Sequence, residues 1–166
     1  MRIVELQEFL DYFDGIHART RRVVDCIPAE RWAWSPAPRK FSFADLVRHL
    51  GAIERWMFAE NVAGRPSRYP GHGRRLAKDG APAVEYFERM HREAMAIFSA
   101  LDPEALARKC TTPAGIQITA WKWLRAMVEH EIHHRGQLYL MLGQLGVETP
   151  PLYGLTSEQV KARSTK

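Results

Sequence analysis

Residues 119 to 145, "TAWKWLRAMVEHEIHHRGQLYLMLGQL", contain no proline and only two glycines, Gly136 and Gly143. An unbroken stretch of roughly 27 residues, rising about 1.5 Å per residue, predicts a helical rod on the order of 40 Å long. Three more segments carry apolar residues at helical spacing. From about Ile3 to Ile27 the stripe is Leu6, Phe9, Leu10, Phe13, Ile16, Val23 and Val24. Ser42 is placed as an N-cap for the second helix, with Asp45 in the capping-box position and Gly64 closing the pattern. After Pro82, Tyr86, Phe87, Met90, Ala94, Ile97 and Phe98 share one side of a third helix.

The connections are legible too. Prolines 28, 36 and 38 make a helix unfavourable between the first and second segments. Asp102 to Lys109 reads as a short helical turn, and "TTPAGIQ" as a breaker. Thr156 and Gln159 form a capping-box pattern that opens a short terminal helix in "LTSEQVKARSTK". No alternating pattern of any length predicts a strand. The expected fold class is therefore all-α: one domain over residues 1–166, a four-helix bundle with one long connection plus a short C-terminal helix.

Composition removes several function classes. With 46% hydrophobic and 26% charged residues, the chain has the make-up of a globular domain, and no apolar run nears the roughly 18 to 20 residues that span a bilayer. "MRIVELQEFL" lacks the apolar core and cleavage site of a signal peptide, so the expected compartment is the cytoplasm, with Cys26 and Cys110 as free thiols. The formal net charge is +5, and Arg65, Arg68, Arg74, Arg75 and Lys78 crowd the segment 64–80. No nucleic-acid motif accompanies them, so a solvated connecting loop is expected rather than a phosphate-binding patch.

The chemistry concentrates in "VEHEIHHRGQ", residues 128 to 137. His130 and His134 are four apart, one turn up the same helix face, and two imidazoles so placed can share a metal. His133 could replace His134 geometrically. The apolar seam decides, because a seven-residue repeat through 120, 124, 127, 131, 134, 138, 141 and 145 includes His134 and misses His133. His133 is expected at the rim. A metal held for catalysis usually needs a third protein ligand, and His49, flanked on the second helix by Leu46, Leu50 and Ile53, is the candidate. His17 and His91 read as extra ligands or as core histidines, and His72 as solvated.

"HEIHH" also satisfies H-E-x-x-H, which would make Glu131 the general base of a zinc protease. The extension that such proteases carry is missing: Gly136 stands two residues after the second histidine and Leu140 occupies the position of a third. Together, "LVRHLG", "EHEIHHRGQ" and the trailing "PPLYG" resemble the DinB/YfiT-like family over most of the chain. That resemblance implies a four-helix bundle with a long crossover connection, often a homodimer, holding a divalent metal such as nickel or zinc through three histidines, here His49, His130 and His134. It implies no single reaction. Some relatives are thiol-dependent transferases or isomerases that use a low-molecular-weight thiol as cofactor, and the damage-inducible family name does not imply DNA binding.

Three neutral imidazoles leave a metal its full charge and an open position, where a water or a thiol is activated. The expected function is thus a divalent-metal-dependent enzyme acting on a small-molecule substrate, of thiol S-transferase or hydrolase type, with zinc or nickel favoured and iron admissible. Glu131 is the candidate proton carrier beside the ligands. Glu129, Glu131, Arg48 and Arg135 otherwise read as helix-surface charge, and Trp32, Trp34, Trp56, Trp121 and Trp123 as core or interface packing. The competing classes are a non-catalytic bundle or dimer stabilised by its metal, then a zincin-type protease or a nucleic-acid binder.

Overall fold

Each apolar stripe becomes the buried face of a helix in the computed structural model, which describes residues 3–164. Residues 1, 2, 165 and 166, which the sequence places in the domain and its terminal helix, lie outside the described residues. Helix α1 (Leu6–Val24) buries Phe9, Leu10, Phe13, Ile16, Val23 and Val24. Helix α2 (Phe43–Ile53) begins with the expected capping box: Asp45 N donates to Ser42 Oγ at 3.1 Å, and Ser42 N donates to Asp45 Oδ2 at 3.1 Å. Caps of this kind contribute about 1 kcal/mol. The helix runs on through a π-helical segment, Glu54–Ala59, and a last turn, α3 (Glu60–Val62), before Gly64 at φ 77° ends it. Helix α4 (Ala81–Ser99) carries Pro82 in its first turn, where the missing N–H costs nothing. The long rod is α5 (Ala120–Gln144), and α6 (Ser157–Ser164) closes the described chain on its Thr156–Gln159 capping box.

The main contacts pair α1 with α4 and α5, and α2 with α4 and α5. Neither α1 and α2 nor α4 and α5 are neighbours, so the chain crosses the bundle both between α1 and α2 and between α4 and α5. Gly51 lets α2 close on α4, since a Cβ there would lie 3.1 Å from Met90 Cβ and 3.2 Å from Phe87 Cα. The core divides along the bundle into two large apolar clusters, with a small third one of Ala52, Tyr86 and Met90 between α2 and α4. One gathers Phe13, Ile16, Ile53, Phe58, Phe98, Leu124 and Met127. The other gathers Val23, Phe43, Leu46, Leu50, Phe87, Leu138 and Leu142. Burying such a side chain contributes roughly 1.5–3 kcal/mol.

Three local features depart from the sequence reading. A hairpin of β1 (Lys109–Thr111) and β2 (Gln117–Thr119) replaces the simple breaker, pairing Lys109 with Thr119 and Thr111 with Gln117. Three-residue strands are too short to show an alternating pattern. The turn expected over 102–109 contracts to 3-10 geometry at Ala105–Ala107, and the proline-rich linker holds another such turn at Ala29–Arg31. Among the described residues, no helix is long and apolar enough to cross a membrane. Cys26 and Cys110 are free thiols.

Candidate metal centre

Where α2 runs beside α5, His49 meets His130 and His134. The His49 and His130 Nε2 atoms are 3.2 Å apart, and those of His130 and His134 are 3.1 Å apart. One nitrogen from each of the three lies within 4.8 Å of the others. Helical spacing explains the second pair, since residues four apart stack along one face. The first pair depends on α2 presenting His49 at the groove between the helices.

Hydrogen bonds at the far side of the rings fix which nitrogens face inward. His134 Nδ1 lies 2.7 Å from Gln137 Oε1, an acceptor only, so Nδ1 carries the proton and Nε2 keeps a lone pair for the centre. Burial, reinforced by the neighbouring histidines, pushes His49 down to about 4 and His130 down to about 3. Burial also lowers His134, against the Gln137 hydrogen bond. All three are neutral at pH 7. A single Nε2 proton on His130 can point at only one of its two close nitrogen neighbours, which leaves the other close contact without a hydrogen bond. A divalent cation at the centre removes that conflict, so the donor set fits the metal that the sequence suggests.

Tyr69 adds an outer partner that the sequence did not single out. Its hydroxyl lies 2.7 Å from His49 Nδ1 and 3.0 Å from His72 Nδ1. Burial pushes the phenol up to about 12, so it remains an O–H group. Arg48 holds this arrangement in place. Its Nε donates to His72 O at 2.6 Å, one terminal nitrogen to Ala77 O at 3.2 Å and to Asp79 Oδ1 at 2.8 Å, and the other to Asp45 Oδ1 at 2.8 Å. Three of the expectations are corrected by these contacts. Arg48 is buried rather than a surface charge, His72 is half-buried and bonded, and the middle of the 64–80 loop is fastened across the helix. The cause is that loop carbonyls near a buried face need donors, and a guanidinium supplies several from one residue.

A cavity of about 500 Å³ opens beside His134, walled by Phe41, Leu46, Leu140 and Met141, with Arg39 and Lys40 also lining it. Leu140 is 66% exposed there. Phe41 also covers the histidines, its ring centroid 5.1 Å from that of His49 and 4.6 Å from that of His72. Arg39 sits at φ 64°, a left-handed conformation that few non-glycine residues adopt and that recurs at ligand sites.

The remaining candidates separate cleanly. His133 is exposed, its Nε2 accepting from Gln137 Nε2 at 3.2 Å. Glu129 is a surface charge paired with Arg125 at 3.2 Å, as expected. Glu131, the expected proton carrier, turns the other way: it is 3% exposed in the core, beside Glu54 and His91, and burial, then the Glu54 charge, raises its carboxyl. No Glu131 oxygen belongs to the histidine set. That placement also withholds the general base that a zincin reading of "HEIHH" requires. Arg135 is likewise buried, donating to Ile16 O at 3.3 Å. His17 and His91 join neither the cage nor solvent; they stack on each other inside the bundle.

Comparison with known proteins agrees with the fold. Over 138 residues the chain is 27% identical to a Bacillus subtilis protein described as uncharacterized protein YjoA, covering 81% of this chain and 86% of that one. The crystal structure of YjoA, a DinB-like protein, superposes with a TM-score of 0.68 at 19% identity over the structural alignment, covering 87% of this chain and 97% of that one. A DinB-like protein from Bacillus cereus superposes with a TM-score of 0.73 at 14% identity, covering 87% and 95%. Likeness at those identities speaks for the fold alone. Residues 12–138, well over half of the chain and spanning all three cage histidines, match the model of the DinB superfamily, and the protein belongs to that superfamily.

Proposed function

We propose that this protein is a divalent-metal-dependent enzyme acting on a small molecule, with His49, His130 and His134 as the metal ligands. The observation that carries the reading is the meeting of three neutral imidazole nitrogens, separated by 3.1 and 3.2 Å along the cage, beside an apolar cavity. When bound, zinc or nickel supplies Lewis-acid activation of a water or a thiol at an open position.

The chain's own residues supply the rest. Gln137 and Tyr69 hold the outer nitrogens of His134 and His49, fixing ring orientation as metal-site histidines require. Phe41 shields the cage from bulk water. Arg39 and Lys40 receive an anionic group on the substrate or on a low-molecular-weight thiol. Glu131 takes no part, because it faces the interior of the bundle.

The reaction is thiol transfer or hydrolysis, and one experiment tests both. Protein reconstituted with zinc or nickel is screened for transfer of small thiols to electrophiles and for ester and amide hydrolysis. Turnover should require metal, fall at least about 100-fold in His49→Ala, His130→Ala and His134→Ala, and persist in His133→Ala. A protein that binds its metal at the cage yet turns over no substrate in either screen would instead be a bundle stabilised by metal.

A further inference from the structure

A second set of ligand-type side chains lies at mid-height in the bundle, where the apolar core is interrupted. On α1, Phe13 and Ile16 belong to one apolar cluster and Val23 and Val24 to the other, with His17 between them. Along α2 the cluster changes between Leu50 and Ile53, just before Glu54; on α4 it changes around His91, between Phe87 and Ala94, and on α5 around Glu131, between Val128 and Leu138. Each helix of the bundle thus contributes one histidine or glutamate to a single polar layer. All four are at most 5% exposed.

The layer is not closed by its own hydrogen bonds. Both ring nitrogens of His17, Glu54 Oε2 and Glu131 Oε1 are buried without a hydrogen-bond partner, although native interiors pair nearly all such atoms. His17 Nε2 comes within 3.5 Å of Glu88 Oε1, outside hydrogen-bonding geometry. One atom each from His17, Glu54 and His91 lies within 4.8 Å of the other two. His91 Nε2 is 3.3 Å from Asp14 Oδ1 while Nδ1 is 2.8 Å from Glu54 Oε1. Both His91 nitrogens thus meet carboxylates, so an ion bound here would replace the proton between His91 Nδ1 and Glu54 Oε1, with Asp14 left backing Nε2. The π-helical segment opens at Glu54 itself, and such segments recur at functional sites.

We infer that His17, Glu54 and His91 form a second divalent-metal site at the centre of the bundle, separate from the histidine cage, and that it takes a zinc or ferrous ion. Two imidazoles and one carboxylate drawn from facing helices are a donor set that bundle cores use for transition metals. The His17 and His91 rings lie stacked, with centroids 3.6 Å apart and planes 6° from parallel, so their lone pairs do not converge as they stand. Closing on an ion requires the His17 ring to turn about its Cβ–Cγ bond, and no hydrogen bond opposes that rotation. Glu131, with its free Oε1, is the neighbouring carboxylate on the fourth helix.

Cobalt(II) is the probe. The double variant His130→Ala/His134→Ala, which lacks the cage, is incubated with cobalt, desalted, and measured by elemental analysis and visible absorption. It should retain about one equivalent per chain, and adding His17→Gln or Glu54→Gln should remove it. Wild type should carry about two. A double variant that holds no cobalt, or retention unchanged by His17→Gln and Glu54→Gln, overturns the site. If the substituted chains fail to fold, the anomalous difference map of cobalt-loaded wild-type crystals decides: a peak between His17 and Glu54 supports the site, and none overturns it. Failure of the cage reading looks different, with wild type and the double variant binding equal amounts.

Discussion

Arg48→Met should cost about 3 kcal/mol of stability and free the loop that positions Tyr69. The magnitude follows from the contacts. Arg48 is 1% exposed and donates to two carbonyls, His72 O and Ala77 O, and to two carboxylates, Asp45 and Asp79. The carboxylate side chains remain 28% and 20% exposed, so each can turn toward water, and their charge-assisted bonds belong near the low end of the usual range, about 1.5 kcal/mol each. The carbonyl bonds contribute roughly 0.5–1 kcal/mol each, and the methionine recovers part of the total through packing. Urea unfolding of the metal-free protein, followed by far-UV circular dichroism, reads the stability change. Trypsin reads the local effect, since Arg68, Arg74, Arg75 and Lys78 all lie in the loop. Native-state cleavage there should accelerate at least about tenfold, as a loop with low opening free energy does. A loss below about 0.5 kcal/mol with unchanged cleavage would refute the idea that Arg48 fastens the loop.

Other perturbations give equally direct readings. Gly51→Ala should destabilise by about 1–2 kcal/mol in urea unfolding, because its Cβ would press on the Phe87 backbone at 3.2 Å; a neutral or stabilising change would contradict the close approach of α2 and α4. Gln137→Leu should weaken metal binding roughly 10- to 100-fold in competition with a chromophoric chelator, and unchanged affinity would remove its orienting role. Metal-free protein should show its histidine-linked stability maximum near the ordinary imidazole value, about 6.5. His17, His49 and His130 fold with values pushed down to about 2, 4 and 3, chiefly by burial, so below 6.5 the unfolded chain binds protons that the folded chain refuses and stability falls with acid. His91 goes the other way: burial works against it, but Glu54 and Asp14 lift it to about 9, so its contribution is full below 6.5 and is lost as pH rises through 9. An unfolding midpoint that stays level from pH 5 to pH 9 would contradict both limbs.

The bundle was legible because burial imposes a period, and the period is written into α1, α2, α4 and α5. The seven-residue repeat along α5 correctly buries Leu124, Met127, His134, Leu138 and Met141. The same repeat passes through Glu131, and reading that glutamate as surface charge set its residue type above its position. Arg48 hid for a similar reason. A charged side chain next to a histidine looks solvated until the loop that needs its donors is folded against it. Tyr69 could not be found from spacing at all, because a loop without periodicity brought it 2.7 Å from His49. The hairpin at 109–119 was missed because three-residue strands hold too few positions to alternate. Gln137, three residues after His134 on the same helix, was within reach of the spacing rule that identified the histidine pair.

The measurement that tests the metal cage most directly is diffraction from crystals of zinc-reconstituted protein at the zinc absorption edge. An anomalous peak about 2.0–2.1 Å from Nε2 of His49, His130 and His134 is the expected result. Absence of a peak between those three nitrogens in fully loaded crystals, or a peak ligated by His133 in place of His134, would contradict it.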